Sequence, residues 1–245
     1  MTPPVFLVGT AALAADRVTV GGPEGHHAAV VRRIREGETV DLSDGLGLRA
    51  RCTVSAVGRD HVVCTVVERR EEPAPSPRLT VVQALPKGDR GELAVEMMTE
   101  AGVDAIVPWA AERSVTRWKG DRAAKALAKW RATARESAKQ ARRGRLPLVE
   151  DLADRSAVAG LLAGADLGVV LHEDGAGRLA ELDLPSGDGP GVVVVVGPEG
   201  GFSDAELDAF TEAGAVRALL GPSVLRTSTA GVAALAVLQA RTGRW

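Results

Sequence analysis

The chain has no tyrosine, and only three phenylalanines and four tryptophans among its 245 residues. RNA-recognition sheets that stack bases on surface aromatics need more than this, so a platform of that kind is not expected. Only two cysteines occur, Cys52 and Cys64, and neither belongs to a CxxC pair. That argues against a disulfide framework and against a zinc site, and makes a reducing cytoplasm the expected compartment. No apolar run approaches the roughly 20 residues needed to span a bilayer, so no membrane contact is expected. The apolar stretch from Val5 to Ala15 ends in small residues as a signal peptide does. No Lys or Arg precedes it, however, and the first basic residue is Arg17, so it is expected to belong to the fold. The adjacent His26 and His27 have no acid or further histidine at metal-ligand spacing, and no metal is expected.

A formal net charge of -2 conceals a strong asymmetry. Between Arg113 and Arg145 lie twelve lysines and arginines against two acids, Asp121 and Glu136, a local charge of +10 that leaves -12 for the remainder. A basic block inside an otherwise acidic chain is the footprint of a polyanion partner. On a helix from Asp121 to Arg143, Ala123, Leu127, Trp130, Ala134, Ala138 and Ala141 fall within about 80° of one another, with the cations on the other half. Trp130 is then a core anchor, and the basic face meets solvent with few acids to neutralise it at i,i+4.

The hydrophobic rhythm changes once. Residues 1–70 read as short strands, Val5–Val8, Arg17–Val20, Thr39–Leu42, Leu48–Val57 and His61–Val67, with a short helix over His26–Ile34, which fits a small β-barrel. The Pro-rich acidic stretch EEPAPSPR at 71–78 is the one convincing boundary, giving domains 1–72 and 79–245 joined by 70–78. Beyond it strands alternate with helices: strand Leu79–Ala84, helix Gly91–Ala101 closed by Gly102, strand Val103–Pro108, the basic helix, then the buried strands Leu167–Leu171 and Val192–Val196. Apolar runs of this kind fit a parallel sheet covered on both faces, an α/β architecture.

Two glycine-rich turns follow strands. GPEGGFS at 197–203 leaves the valine strand and enters a helix through the capping box Ser203–Glu206, with Gly214 closing that helix. GPSVLRTS at 221–228 leaves the Ala218–Leu220 strand and enters a small-residue helix from Thr229. Each presents free backbone amides at the carboxyl end of a strand, where open α/β sheets bind ligands. Neither is GxGxxG, neither carries the Lys-Ser/Thr of a Walker A loop, and no GxSxG elbow occurs, which argues against a dinucleotide carrier, a P-loop NTPase and a serine hydrolase.

GPEGGFS at 197–203, LGPSVLRTSTA at 220–230 and ERSV at 112–115, together with HHAAVVRRIREGE at 26–38, DGLG at 44–47, QALPKGDRGE at 83–92 and MTEAGVDAIVP at 98–108, resemble the RsmE family of ribosomal RNA methyltransferases, of the SPOUT class. The likeness extends over nearly the whole chain. It implies an N-terminal PUA-like β-barrel followed by a SPOUT α/β domain with a C-terminal trefoil knot around 195–235. It also implies methyl transfer from S-adenosylmethionine to N3 of a uridine in 16S rRNA of the small ribosomal subunit, by a cytoplasmic homodimer.

On that resemblance the cofactor pocket comprises Leu171, His172, Gly197, Pro198, Glu199, Gly200, Leu220, Gly221, Leu225, Arg226 and Thr227. Arg226 is the first catalytic candidate and Glu199 the second. Arg32, Arg33, Arg113, Arg131, Arg135, Lys139, Arg142 and Arg143 are the expected RNA contacts. The family often has Glu where this chain has Ser228, which leaves Ser228 to act as an N-cap and shifts the chemistry onto Arg226. The alternatives are a SPOUT enzyme acting at another RNA position, and a non-catalytic ribosome-assembly factor that kept the basic face.

Overall fold

The computed structural model describes residues 2–245 and divides the chain into two compact units. The first comprises residues 1–74 and 138–146, the second 75–137 and 147–245.

In the first unit β1 (Val5–Leu7), β2 (Arg17–Val20), β3 (Thr39–Ser43), β4 (Leu48–Val57) and β5 (Val62–Glu71) form one mixed sheet in the order β1-β3-β4-β5-β2. Only the β1–β3 pair is parallel. Irregularities in the β4–β5 register at Arg51/Cys52 and Val54/Ala56 bend the long hairpin. Its concave side closes over Phe6, Leu13, Val40, Leu42, Cys52, Val54, Val62 and Cys64. Between β2 and β3 the helix α1 (Gly22–His26) widens into a π turn over His27–Val31, with the His27 ring edge-on to Phe6. His27 is half-buried, its ring against a core phenylalanine.

The second unit is a seven-stranded sheet, parallel throughout. Its strands are β6 (Leu79–Ala84), β7 (Ala105–Trp109), β8 (Leu148–Val149), β9 (Leu167–Leu171), β10 (Gly177–Arg178), β11 (Val192–Val196) and β12 (Val216–Leu219), in the order β10-β12-β9-β11-β6-β7-β8. Its helices are α2 (Arg90–Glu100), α3 (Asp121–Gln140), α4 (Arg155–Ala163), α5 (Asp204–Glu212) and α6 (Thr227–Arg241). The five valines of β11 show why the sheet is covered twice. Val192, Val194 and Val196 join the cluster that holds Met98 of α2, Trp130 of α3 and Leu235 of α6. Val193 and Val195 join the opposite cluster with Val158 of α4 and Phe210 of α5. Period-two alternation with no polar position leaves neither face for water.

α3 differs from its sequence reading at the far end. Trp130, Ala134 and Ala138 are buried, and Trp130 meets Trp118 edge to face at 5.1 Å. The helix stops at Gln140, short of Arg143, and Ala141 is exposed. Arg143 N–H donates to Ala138 O and Arg142 N–H to Lys139 O, with Arg142 at φ 56°, the paired bonds of a Schellman stop. The last helix also starts earlier than expected. Arg226 is its N-cap residue, and Ser228 lies buried in its first turn instead of capping it.

Candidate active site

The strand order reverses about β6 and β11, and the carboxyl ends of β6, β7, β9, β11 and β12 release their loops at the same edge of the sheet. This is the crevice in which open α/β sheets hold ligands. Two adjoining cavities of about 540 and 390 Å³ open there. Both are lined by Leu171 and His172 at the end of β9, and by Leu225. The larger adds Gly197, Pro198, Glu199, Gly200, Arg226 and Thr227, and the smaller adds Leu220 and Gly221. All eleven positions singled out as a cofactor pocket in the sequence thus line one pair of cavities, although Leu171 and Thr227 lie 56 positions apart in the chain.

Local chemistry fixes these loops. The capping box at Ser203 is formed: the Ser203 hydroxyl accepts from Glu206 N–H at 3.3 Å, and Glu206 Oε2 accepts from Ser203 N–H at 2.8 Å. The other oxygen of Glu206 accepts from Glu112 N–H at 2.7 Å, so one buried carboxylate joins the start of α5 to the ERSV stretch and sets the backbone beside Arg113. Two points of the first turn are too tight for a Cβ unless a neighbour moves. A Cβ on Gly197 would lie 2.7 Å from the Phe202 ring, and one on Gly200 would lie 3.0 Å from both Cβ and O of Arg113. The second turn is tied to the sheet through Gln83, whose buried side-chain amide donates to Thr227 O at 3.3 Å.

The polar groups facing the larger cavity are uneven in sign and in engagement. Arg90, Arg113 and Arg226 line it, all exposed, and none has an ion-pair partner among the described residues. Arg226 is therefore not a brace between loops. Glu199 has one oxygen occupied, accepting from Lys87 N–H at 3.1 Å. His172 Nδ1 accepts from Asp174 N–H at 3.1 Å, and its ring lies 5.9 Å from Phe202. Arg90 was not singled out in the sequence. It is the first residue of α2, and nothing in the local pattern distinguishes it from a solvated helix start.

A family model described as an RNA methyltransferase domain matches residues 72–239, and one described as an RNA methyltransferase PUA domain matches residues 20–67. Ribosomal RNA small subunit methyltransferase E of Mycobacterium bovis is 47% identical over 234 residues, covering 92% of this chain and 87% of the relative. The chain belongs to the ribosomal RNA small subunit methyltransferase E family. The Bacillus subtilis member is 32% identical over 236 residues, covering 93% of this chain and 91% of its own. A crystal structure of the Neisseria gonorrhoeae member bound to S-adenosyl methionine superposes with a TM-score of 0.85 at 28% identity, covering 98% of each chain.

The expected RNA contacts of this methyltransferase E chain fall into three groups. Arg32, Arg33, Arg113 and Arg142 are exposed and without an ion-pair partner among the described residues, and Arg135 is exposed as well. Arg131 is exposed but engaged, donating to Val149 O at 3.0 Å and pairing with Asp151 at 2.9 Å, while Arg143 is half-buried. Lys139 is a correction. Its ammonium lies 3.0 Å from Glu24, the two side chains only 7% and 12% exposed, so it is a buried partner of the first unit and presents no charge to a phosphate. The physical reason is that a buried ammonium must be paired, and Glu24 supplies the partner at the helix carboxyl end, where a cation is also favoured.

Proposed function

We propose that this chain methylates N3 of a uridine in 16S rRNA of the small ribosomal subunit, using S-adenosylmethionine and giving 3-methyluridine. The observation that carries the reading is the convergence of two glycine-rich loops and three guanidinium groups without an ion-pair partner among the described residues on one crevice at the carboxyl ends of a parallel sheet, in a chain of the methyltransferase E family. The crevice suits the cofactor. Its loops offer backbone amides and carbonyls, Gly197 and Gly200 leave no room for side chains, and the paired cavities accommodate an elongated ligand. Leu171, His172, Gly197, Pro198, Glu199, Gly200, Leu220, Gly221, Leu225, Arg226 and Thr227 are the residues that would hold it. When bound, the cofactor supplies a methyl group on a positively charged sulfur.

The protein's part follows from uracil chemistry. Neutral uracil carries a proton on N3 and offers no free lone pair in the ring plane. The site must accept that proton or stabilise the anion left behind. Arg226 is suited to the second task, its cation facing charge that develops on O2 and O4, and the free oxygen of Glu199 is suited to the first. The target base must leave its stacked surroundings to reach the crevice. Phosphate contacts that position the RNA fall to Arg32, Arg33, Arg142 and Arg143 of the first unit and to Arg113 and Arg135 of the second.

In the same reading, residues 1–72, which form one unit with 138–146, are a PUA-like barrel that binds RNA, and the rest of 79–245 is the catalytic domain of SPOUT type. The loops of 195–235 thread as a trefoil knot, and the protein acts in the cytoplasm as a homodimer. The test is mass spectrometry of nucleosides from 16S rRNA of a strain lacking this gene, before and after complementation. Loss and return of 3-methyluridine is the expected result, and its persistence in the deletion strain overturns the assignment.

A further inference from the structure

A third cavity, about 540 Å³ and opening to solvent, adjoins the cofactor crevice and is not accounted for by it. Residues 87–90, Leu93, Val115 and Glu199 line it. Two of these, Arg90 and Glu199, also line the crevice, so they form the wall between the two spaces. We propose that this cavity is the seat of the target uracil, with Leu93 and Val115 against the base and its Watson–Crick edge turned to Glu199 and Arg90, the wall shared with the crevice that Arg226 lines. The inference rests on the reaction proposed above and assigns its second substrate a place.

Three observations support it. Leu93 and Val115 are 45% and 70% exposed and both line this cavity. A base taken out of an RNA stack needs apolar contact on its faces, and aliphatic walls supply it where no ring is present. The walls are also held in register. The Thr116 hydroxyl donates to Pro86 O at 2.7 Å, locking the Val115 segment onto the loop that precedes Arg90.

The charge pattern completes the argument. Uracil presents acceptor, donor, acceptor along O2, N3–H and O4. Two carboxylates, Asp89 and Glu199, and two cations, Lys87 and Arg90, line the cavity, and Glu199 Oε1 is fixed by Lys87 N–H at 3.1 Å. Cytosine, with a lone pair at N3 and an amino group at C4, would set acceptor against carboxylate and donor against cation. Rejection by unpaired and like-signed groups is how a polar site discriminates strongly.

The test uses full-length Leu93→Asn and Val115→Asn chains, both changes at exposed positions, assayed on small ribosomal subunits lacking the modification. Expected is a rise of at least tenfold in KM for the subunit, with affinity for S-adenosylmethionine by calorimetry within twofold of wild type and molecular mass by light scattering unchanged. An unchanged KM, in variants of a wild type that does form 3-methyluridine, overturns the seat and leaves the reaction standing. A change in oligomeric state that parallels the loss of activity overturns it in favour of a contact between copies. Absence of 3-methyluridine with the wild-type chain overturns the reaction and the seat together.

Discussion

Arg226 and Lys139 show how little a residue's type says about its role. Both are cations in basic surroundings, yet one stands exposed at the crevice without an ion-pair partner among the described residues and the other is buried against Glu24. Because Arg226 braces nothing, Arg226→Ala should leave thermal stability within about 0.5 kcal/mol of wild type. The same change should lower kcat by about 10²-fold if the guanidinium stabilises the developing uracil anion. Single-turnover methyl transfer alongside a melting curve checks both. A large loss of stability with kcat preserved would return Arg226 to a structural role.

At the scale of elements, helix ends decide where the site residues lie. α2 and α5 end as the sequence indicates: Gly102 at φ 90° and Gly214 at φ 88° take the left-handed position of a Schellman stop. α3 uses the same device with Arg142, which bears no sequence mark of a terminator, and so the expected helix ran too far. α4 was not expected, although Asp154 caps it by accepting from Ala157 N–H at 2.8 Å. The capping box of α5 was legible as a pattern. Its second task, holding Glu112 N–H, was not, because Glu112 and Glu206 lie 94 positions apart. Glu206→Ala leaves two backbone amides without that acceptor, one buried at Ser203 and one part-buried at Glu112. At about 1–3 kcal/mol each, this should cost about 3 kcal/mol and roughly 10 °C in Tm. Differential scanning calorimetry measures the loss, and a Tm within about 2 °C of wild type would show that solvent replaces the carboxylate.

At the scale of the whole molecule, pH dependence in the alkaline range comes from the buried thiols of the first unit. Burial pushes Cys52 up to about 12 and Cys64 up to about 11 from an ordinary 9.0, favouring the neutral form in the folded state. Above pH 9 the unfolded chain releases protons that the folded chain retains, so stability falls as pH rises from 9 toward 11. Melting curves at pH 8 and pH 10 should show the lower midpoint at pH 10. Both thiols should be inert to a disulfide reagent at pH 8 until urea is added. Among the described residues no helix is long and apolar enough to cross a membrane. The crevice at the carboxyl edge of the sheet has contributions from β9, β11 and β12, and from the loop that follows β7.

Sequence by itself determined the two-part rhythm, the doubly covered strands, the basic helix with Trp130 inward, and the two glycine-rich turns. Each of these is written within a window of some twenty residues as periodicity, charge or turn chemistry. The tertiary structure alone decided which cations face solvent, that Arg90 joins the crevice, that Glu206 reaches Glu112, and that Leu93 and Val115 flank a cavity beside Glu199. Those facts depend on which strands of a parallel sheet become neighbours. In a parallel sheet every neighbour is reached by a crossover, so the residues that meet at its carboxyl edge are far apart in the chain.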